Sequence, residues 1–190
     1  MRILEVIEEI RVVLRDEFDV ETQPEPGMSA LALAMLKALF PLLPLDLEML
    51  YRSYKEHSLY SSHSGEPNCD WLLGSVTLFS SRKIVKVFRY WTNFSRGEPL
   101  DELRDRGPVK SGTVWREAWM PLAGEKTQFF ACDMDPDVGG FVGQIIFVDI
   151  VDGSAKFLFK SITEMLEVQL VLLKSGERDI FEAEEFFING

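Results

Sequence analysis

The sequence predicts an α+β fold in which a mostly antiparallel sheet of about four to six strands is flanked by helices. Segments with apolar residues at helical spacing occur in the first half and near the end of the chain. Short apolar runs typical of strands lie between them, and turns that contain Asp and Gly separate these runs. The sequence has no internal repeat, so its 190 residues are expected to build one main domain with short extensions.

The chain begins with a predicted amphipathic helix of about four turns. Its apolar positions recur three or four residues apart, at Ile3, Val6, Ile7, Ile10, Val13, Leu14 and Phe18. Residues 21–27 are rich in Pro and Gly and end this helix. We therefore predict a helix and linker over residues 1–28, an α+β domain over residues 29–176, and an acidic, aromatic tail over residues 177–190.

Two further helices are predicted next, separated by a proline-containing step. Ser29 is expected to be the N-cap of the first, which Pro41 and Pro44 interrupt. Asp46 is expected to cap the second, whose apolar and aromatic face consists of Leu47, Leu50, Tyr51 and Tyr54. After a polar loop, residues 71–79 predict a short strand.

Residues 81–94 predict a basic amphipathic helix. Its apolar positions alternate with the basic residues Arg82, Lys83, Lys86 and Arg89. A basic helix of this kind can contact nucleic acid. The acidic balance of the whole chain instead favours an exposed helix that pairs with the protein's own carboxylates.

The segment over residues 115–152 predicts the centre of the sheet. Apolar runs and turn signals indicate three strands and a closing helix, over residues 129–134, 143–151, 155–159 and 162–174. Asp152 and Gly153 favour a hairpin between the second and third of these strands. Ser161 is the expected N-cap of the closing helix.

The same segment resembles the core motif of the SUKH superfamily, which includes a fungal regulator of cell-wall synthesis and many bacterial toxin-immunity proteins. The motif combines a Trp-x-Pro-hydrophobic-Ala/Gly step, an Asp at a strand end, and a glycine turn into the next strand. The matching positions are Trp119, Pro121, Ala123, Gly124, Asp133, Pro136, Gly140 and Gly143. Leu43-Pro44 resembles the family's Leu-Pro step between its leading helices. The resemblance covers about residues 29–173 and implies a SUKH-like α+β domain.

Charge is the unusual bulk property of the chain, which has 20 basic and 31 acidic residues and a formal net charge of −11. This balance disfavours nucleic-acid binding and favours a basic protein partner. Acidity that serves solubility alone is the open alternative. Glu5 comes too early for a signal peptide, and prolines and charges interrupt the apolar run over residues 30–50. We therefore expect a cytoplasmic protein without a membrane span.

No residue pattern supplies the groups that catalysis or metal binding requires. Asp133, Asp135 and Asp137 lack the glycine and glutamate of a calcium loop, so we expect their side chains to bond nearby backbone amides in a turn. His57 and His63 are too few for a typical zinc site, and the serines beside them lack a positioned base. We therefore predict a protein that is not an enzyme and binds no metal or cofactor.

The resemblance implies an immunity protein that binds and neutralises a bacterial toxin, for example a nuclease. The predicted partner contacts are carboxylates that mimic phosphate, at Asp133, Asp135 and Asp137, and aromatic anchors at Trp115 and Trp119. Core packing under the sheet is the open alternative for both tryptophans. A regulatory scaffold that resembles the fungal members is the alternative function, and a small hydrolase that uses the histidine-containing loop is a third.

Overall fold

The computed structural model describes residues 2–18, 27–53, 78–97, 103, 107–110 and 112–176. Within these ranges the chain forms five helices and a four-stranded antiparallel sheet. The predicted α+β class is therefore confirmed. The histidine-containing loop, most of the strand predicted over residues 71–79, and the tail over residues 177–190 lie outside the described residues.

The helices occur where the apolar spacing predicts them. They are α1 Arg2–Phe18, α2 Ala30–Leu39, α3 Leu45–Ser53, α4 Ser81–Gly97 and α5 Ile162–Lys174. Ser29 and Ser161 are the N-caps of α2 and α5, as predicted. Their hydroxyl oxygens accept hydrogen bonds from the amides of Ala32 and Glu164, each at 3.2 Å, and so satisfy donors that have no partner inside the helix.

The prediction that Asp46 caps α3 is wrong, because α3 begins one residue earlier, at Leu45. The carbonyl oxygen of Pro44 accepts the first helical hydrogen bond, from the amide of Glu48 at 2.9 Å. Asp46 instead joins two helices, since its Oδ2 accepts a hydrogen bond of 3.0 Å from the hydroxyl of Thr163 in α5.

The four strands form an antiparallel sheet in the order β1-β2-β3-β4. Their bounds are β1 Trp119–Gly124, β2 Gln128–Asp133, β3 Gln144–Asp149 and β4 Ser154–Phe159. The turns of the two outer hairpins lie at one end of the sheet, where the Ile150 amide donates to the Thr127 carbonyl at 2.8 Å. The connection between β2 and β3, residues 134–143 (the β2–β3 loop), lies at the opposite end.

Pro121 occupies β1 without disrupting the sheet because the register shifts between Pro121 and Ala123. Such an irregularity accommodates a residue that has no amide hydrogen to donate. Leu78 forms an isolated antiparallel bridge with Ala123, and the Phe79 amide donates to the Leu122 carbonyl at 2.6 Å. These contacts place the end of the predicted strand over residues 71–79 beside β1.

The core contains residues from every helix and strand. The predicted apolar face of α1 is buried at Ile3, Val6, Ile7, Ile10 and Leu14, and α1 packs against α3 and α5. Five of the six residues of β2 are buried, so both faces of this central strand are covered. No helix among the described residues is long and apolar enough to cross a membrane.

Candidate protein-interaction surface

Asp133 lies at the end of β2 and is fully buried. Its Oδ1 accepts a hydrogen bond from the Asp135 amide at 3.0 Å, and its Oδ2 accepts one from Gln144 Nε2 at 3.1 Å. Burial is the main influence on this carboxyl group and raises its pKa. The predicted backbone bonding of Asp133 is confirmed. The predicted contact with a partner is not compatible with this position, because the protein itself covers the carboxylate.

Asp135 and Asp137 differ in what they offer to a partner. Asp135 forms ion pairs with Lys110 and, at 2.9 Å, with Arg116. The hydrogen bond from Lys110 is the main cause of a lowered Asp135 pKa. The Asp137 side chain is exposed, and its Oδ1 accepts the Val138 amide at 2.8 Å, as the turn prediction expects. Of the three aspartates, Asp137 alone presents an exposed carboxylate without an ion pair to a described residue.

Trp115 and Trp119 are core residues, so their side chains are not available as anchors in this structure. The Trp115 ring packs edge-on against Phe88 of α4 and Phe129 of β2, and its Nε1 donates to the Thr92 hydroxyl at 3.3 Å. Trp119 is completely buried, and its Nε1 has no hydrogen-bond partner among the described residues. Both tryptophans therefore pack in the core, which is the alternative that the sequence left open.

Among the described residues, no three His, Cys, Asp or Glu side chains come together in a way that would hold a metal ion. Cys132 is fully buried in β2, and burial strongly raises the pKa of its thiol. A nucleophilic cysteine needs a stabilised thiolate and access to solvent, and Cys132 has neither.

Hydrogen bonds fix the conformation of the β2–β3 loop, and the loop contacts two neighbouring segments. The Gly143 amide donates to the Asp133 carbonyl at 2.8 Å, and Gln144 Nε2 donates to the Pro108 carbonyl at 3.1 Å. Gly143 has a φ of +91°, and a Cβ at this position would lie 2.5 Å from Pro44 Cγ. The loop is therefore packed directly onto the connection between α2 and α3.

This contact brings the two connections together, and between them they carry five exposed apolar residues. They are Leu42 (61% exposed), Leu45 (63%), Val138 (96%), Phe141 (46%) and Val142 (61%), and together they form what we call the loop surface. Two come from the connection beside Pro44 and three from the loop beside Gly143. Isolated exposed apolar residues are common on soluble proteins, whereas contiguous exposed apolar patches are typical of interaction sites in general.

Neighbouring groups extend the loop surface. Lys160 Nζ lies 5.6 Å from the centre of the Phe141 ring, which adds a cation beside the apolar residues. The exposed Asp137 carboxylate lies in the same loop.

None of the five residues of the loop surface was predicted from the sequence as a contact residue. A signal was present, because Phe141 and Val142 stand inside a glycine turn, where polar residues are usual. Leu42 and Leu45 similarly flank the prolines of a helix connection. An apolar residue in a tight turn cannot always reach the core, so these positions indicated exposure.

No model of a known protein family matches the chain, and no curated protein matches it. The resemblance to the SUKH superfamily therefore rests on the motif residues alone. The structure places Trp119 and Pro121 in β1, Asp133 at the end of β2, and Gly140 and Gly143 in the β2–β3 loop.

Proposed function

We propose that this chain is a non-catalytic protein-binding domain that engages a basic partner through the loop surface. The observation that carries the proposal is the set of five exposed apolar side chains on two connections, the β2–β3 loop and the α2–α3 connection, which contact each other at Gly143 and Pro44. Burying a wholly exposed side chain of this kind contributes roughly 1.5–3 kcal/mol, and these five contribute in proportion to the exposed fraction that a partner covers.

The loop that carries this surface is ordered before any partner arrives. The Phe141 amide donates to Gln144 Oε1 at 3.1 Å, the Gln144 amide donates to the Phe141 carbonyl at 2.8 Å, and the Gly140 amide donates to the Asp137 carbonyl at 3.0 Å. Preorganisation reduces the conformational entropy lost on association. A fixed apolar surface is therefore suited to tight, specific binding.

Charge supports a basic partner. The net charge of −11 accelerates encounter with a positively charged protein. Beside the apolar residues themselves, the exposed carboxylate of Asp137 is matched by the cation of Lys160, so the charge of the whole chain carries this argument. The most specific form of the proposal is immunity: the domain covers the basic, nucleic-acid-binding cleft of a toxin and neutralises it. The resemblance to the SUKH superfamily supports this form. A regulatory scaffold that uses the same surface for a partner other than a toxin is the second candidate.

The test compares three forms of the chain in pull-downs from the native lysate. They are the wild type, a loop-surface variant with Leu42→Ser, Phe141→Ser and Val142→Ser, and the control Val151→Ser. Val151 is exposed and apolar but lies in the hairpin turn at the opposite end of the sheet. A basic protein captured by the wild type and the control but lost with the loop-surface variant supports the proposal. Equal capture by all three forms contradicts it.

The partner identified in this way then separates the two candidates. Co-expression of the partner with each form of the domain, scored by growth, tests immunity directly. Rescue by the wild type and by Val151→Ser, but not by the loop-surface variant, supports toxin neutralisation. A partner that is harmless when expressed alone favours the scaffold.

A further inference from the structure

The exposed side of α4 is basic and aromatic. Arg82, Lys83, Lys86 and Arg89 are exposed on this helix, together with the rings of Tyr90 and Phe94, and these six residues form what we call the basic face. The two rings stack with centroids 6.1 Å apart and an interplanar angle of 18°. Lys126, in the turn between β1 and β2, extends the positive charge and places its Nζ 3.4 Å from the centre of the Tyr90 ring.

The cations of the basic face are not neutralised by the described part of the protein. The sequence predicted that they pair with the protein's own carboxylates, but Arg82, Lys86 and Arg89 form no ion pair within the described residues. Among the described residues, the cation of α4 that forms an ion pair with a carboxylate is Arg96, which contacts Glu117 at 2.8 Å. A strip of unpaired cations is unexpected in a chain with a net charge of −11 and indicates an acidic occupant.

The tail over residues 177–190 has the matching composition. It contains five acidic residues against one arginine, at Glu177, Asp179, Glu182, Glu184 and Glu185. It also contains three phenylalanines, which suit the exposed rings of the basic face. No other segment of similar length near the end of the chain combines these features.

The tail is long enough to reach α4. It follows Gly176 directly after α5, which packs against β3 and β4, whereas α4 packs against β1. Four strands spaced about 4.8 Å apart are about 15 Å wide from first to last. A segment of 14 residues spans up to about 46 Å when extended, so the tail can cross the sheet within one molecule.

We propose that the acidic, aromatic tail over residues 177–190 docks on the basic face of α4 in the same molecule. Individual exposed ion pairs are weak, but the covalent connection gives the tail a high effective concentration at the helix. The docked tail neutralises the basic face and shields it from acidic molecules. This inference is independent of the proposed function, because the basic face and the loop surface are different surfaces.

The test is zero-length carbodiimide cross-linking of the full chain, which joins a lysine amine to a carboxylate in contact with it. An equal mixture of isotopically light and heavy protein distinguishes links within one molecule from links between two. The expected result is links between Lys83 or Lys86 and tail glutamates of the same molecule. The ion pair between Lys174 and Glu9, 3.0 Å apart and exposed on both sides, is the internal positive control.

Two variants test whether the tail links depend on the basic face. Lys86→Glu with Arg89→Glu should abolish the tail links at Lys83, whereas Lys156→Glu on β4 should leave them unchanged. High salt should also remove them, because screening weakens exposed pairs. Three results would each overturn the proposal: no tail link while the Lys174–Glu9 link forms, tail links only between molecules, or equal linking of the tail to Lys156 and Lys86.

Discussion

Replacing Gly143 with alanine should destabilise the protein by about 2–5 kcal/mol, for two separable reasons. Its φ of +91° is unfavourable for a residue with a Cβ, at a cost of about 1–2 kcal/mol. The added Cβ would also lie 2.5 Å from Pro44 Cγ, and overpacking of this kind costs about 1–3 kcal/mol. For a protein of this size the change corresponds to a melting temperature lower by roughly 4–20 °C.

Two neighbouring glycines separate the contributions. Gly139 has a φ of +90° and open space around it, so Gly139→Ala should show only the conformational cost of about 1–2 kcal/mol. Gly140 does not have a positive φ, but a Cβ there would lie 2.7 Å from Pro136 Cβ and 2.9 Å from the Pro108 carbonyl oxygen. Gly140→Ala should therefore show only the packing cost, about 1–3 kcal/mol.

The assay is equilibrium unfolding in urea, followed by far-ultraviolet circular dichroism, for each variant alone and for Gly143→Ala combined with Pro44→Ala. Removing Pro44 Cγ should reduce the cost of Gly143→Ala toward that of Gly139→Ala. If Gly143→Ala and Gly139→Ala cost the same in the wild-type background, the contact with Pro44 does not hold the β2–β3 loop. The structural basis of the loop surface would then be refuted.

Four further predictions concern Asp135, Asp133, Trp119 and Cys132. Asp135→Asn should remove stability that is present above the unfolded carboxyl pKa, near 4, and is lost as pH falls through the lowered folded value. Asp133→Asn should remove a pH dependence of the opposite sign. The wild type loses stability as pH rises from about 4 through the raised pKa of Asp133, and the variant should not. Urea unfolding over this pH range measures the effect of both aspartate substitutions. Trp119→Ala should cost about 3–5 kcal/mol in the same assay, whereas Phe141→Ala, at an exposed ring, should change stability by less than about 0.5 kcal/mol. Cys132 should be alkylated only after unfolding, as measured by mass spectrometry of its peptide; modification in the native protein would contradict its burial.

Much of the fold could be predicted because its signals are local. Ser29 and Ser161 stand immediately before apolar periods, and a hydroxyl in that position bonds an amide three residues later. Asp133 and Asp137 could be assigned to backbone bonding for the same reason, since short side chains reach amides one or two residues away.

The candidate site could not be predicted in the same way, because contacts between distant segments assemble it. Gly143 lies against Pro44, which is almost one hundred residues earlier in the chain. Neither residue alone indicates that the two connections meet. The burial of Asp133 likewise depends on Gln144 and on the segment at Pro108, and sequence spacing does not encode such tertiary packing.

The pairing of α1 with α5 has a consequence for how the protein is made. Arg2 contacts Glu167 at 2.7 Å and Glu9 contacts Lys174 at 3.0 Å, so the first and last described helices lie side by side and run in the same direction. During translation, α1 leaves the ribosome about 160 residues before the helix that covers it. The part of its apolar face that packs against α5, rather than against α3, therefore stays uncovered until α5 has been synthesised.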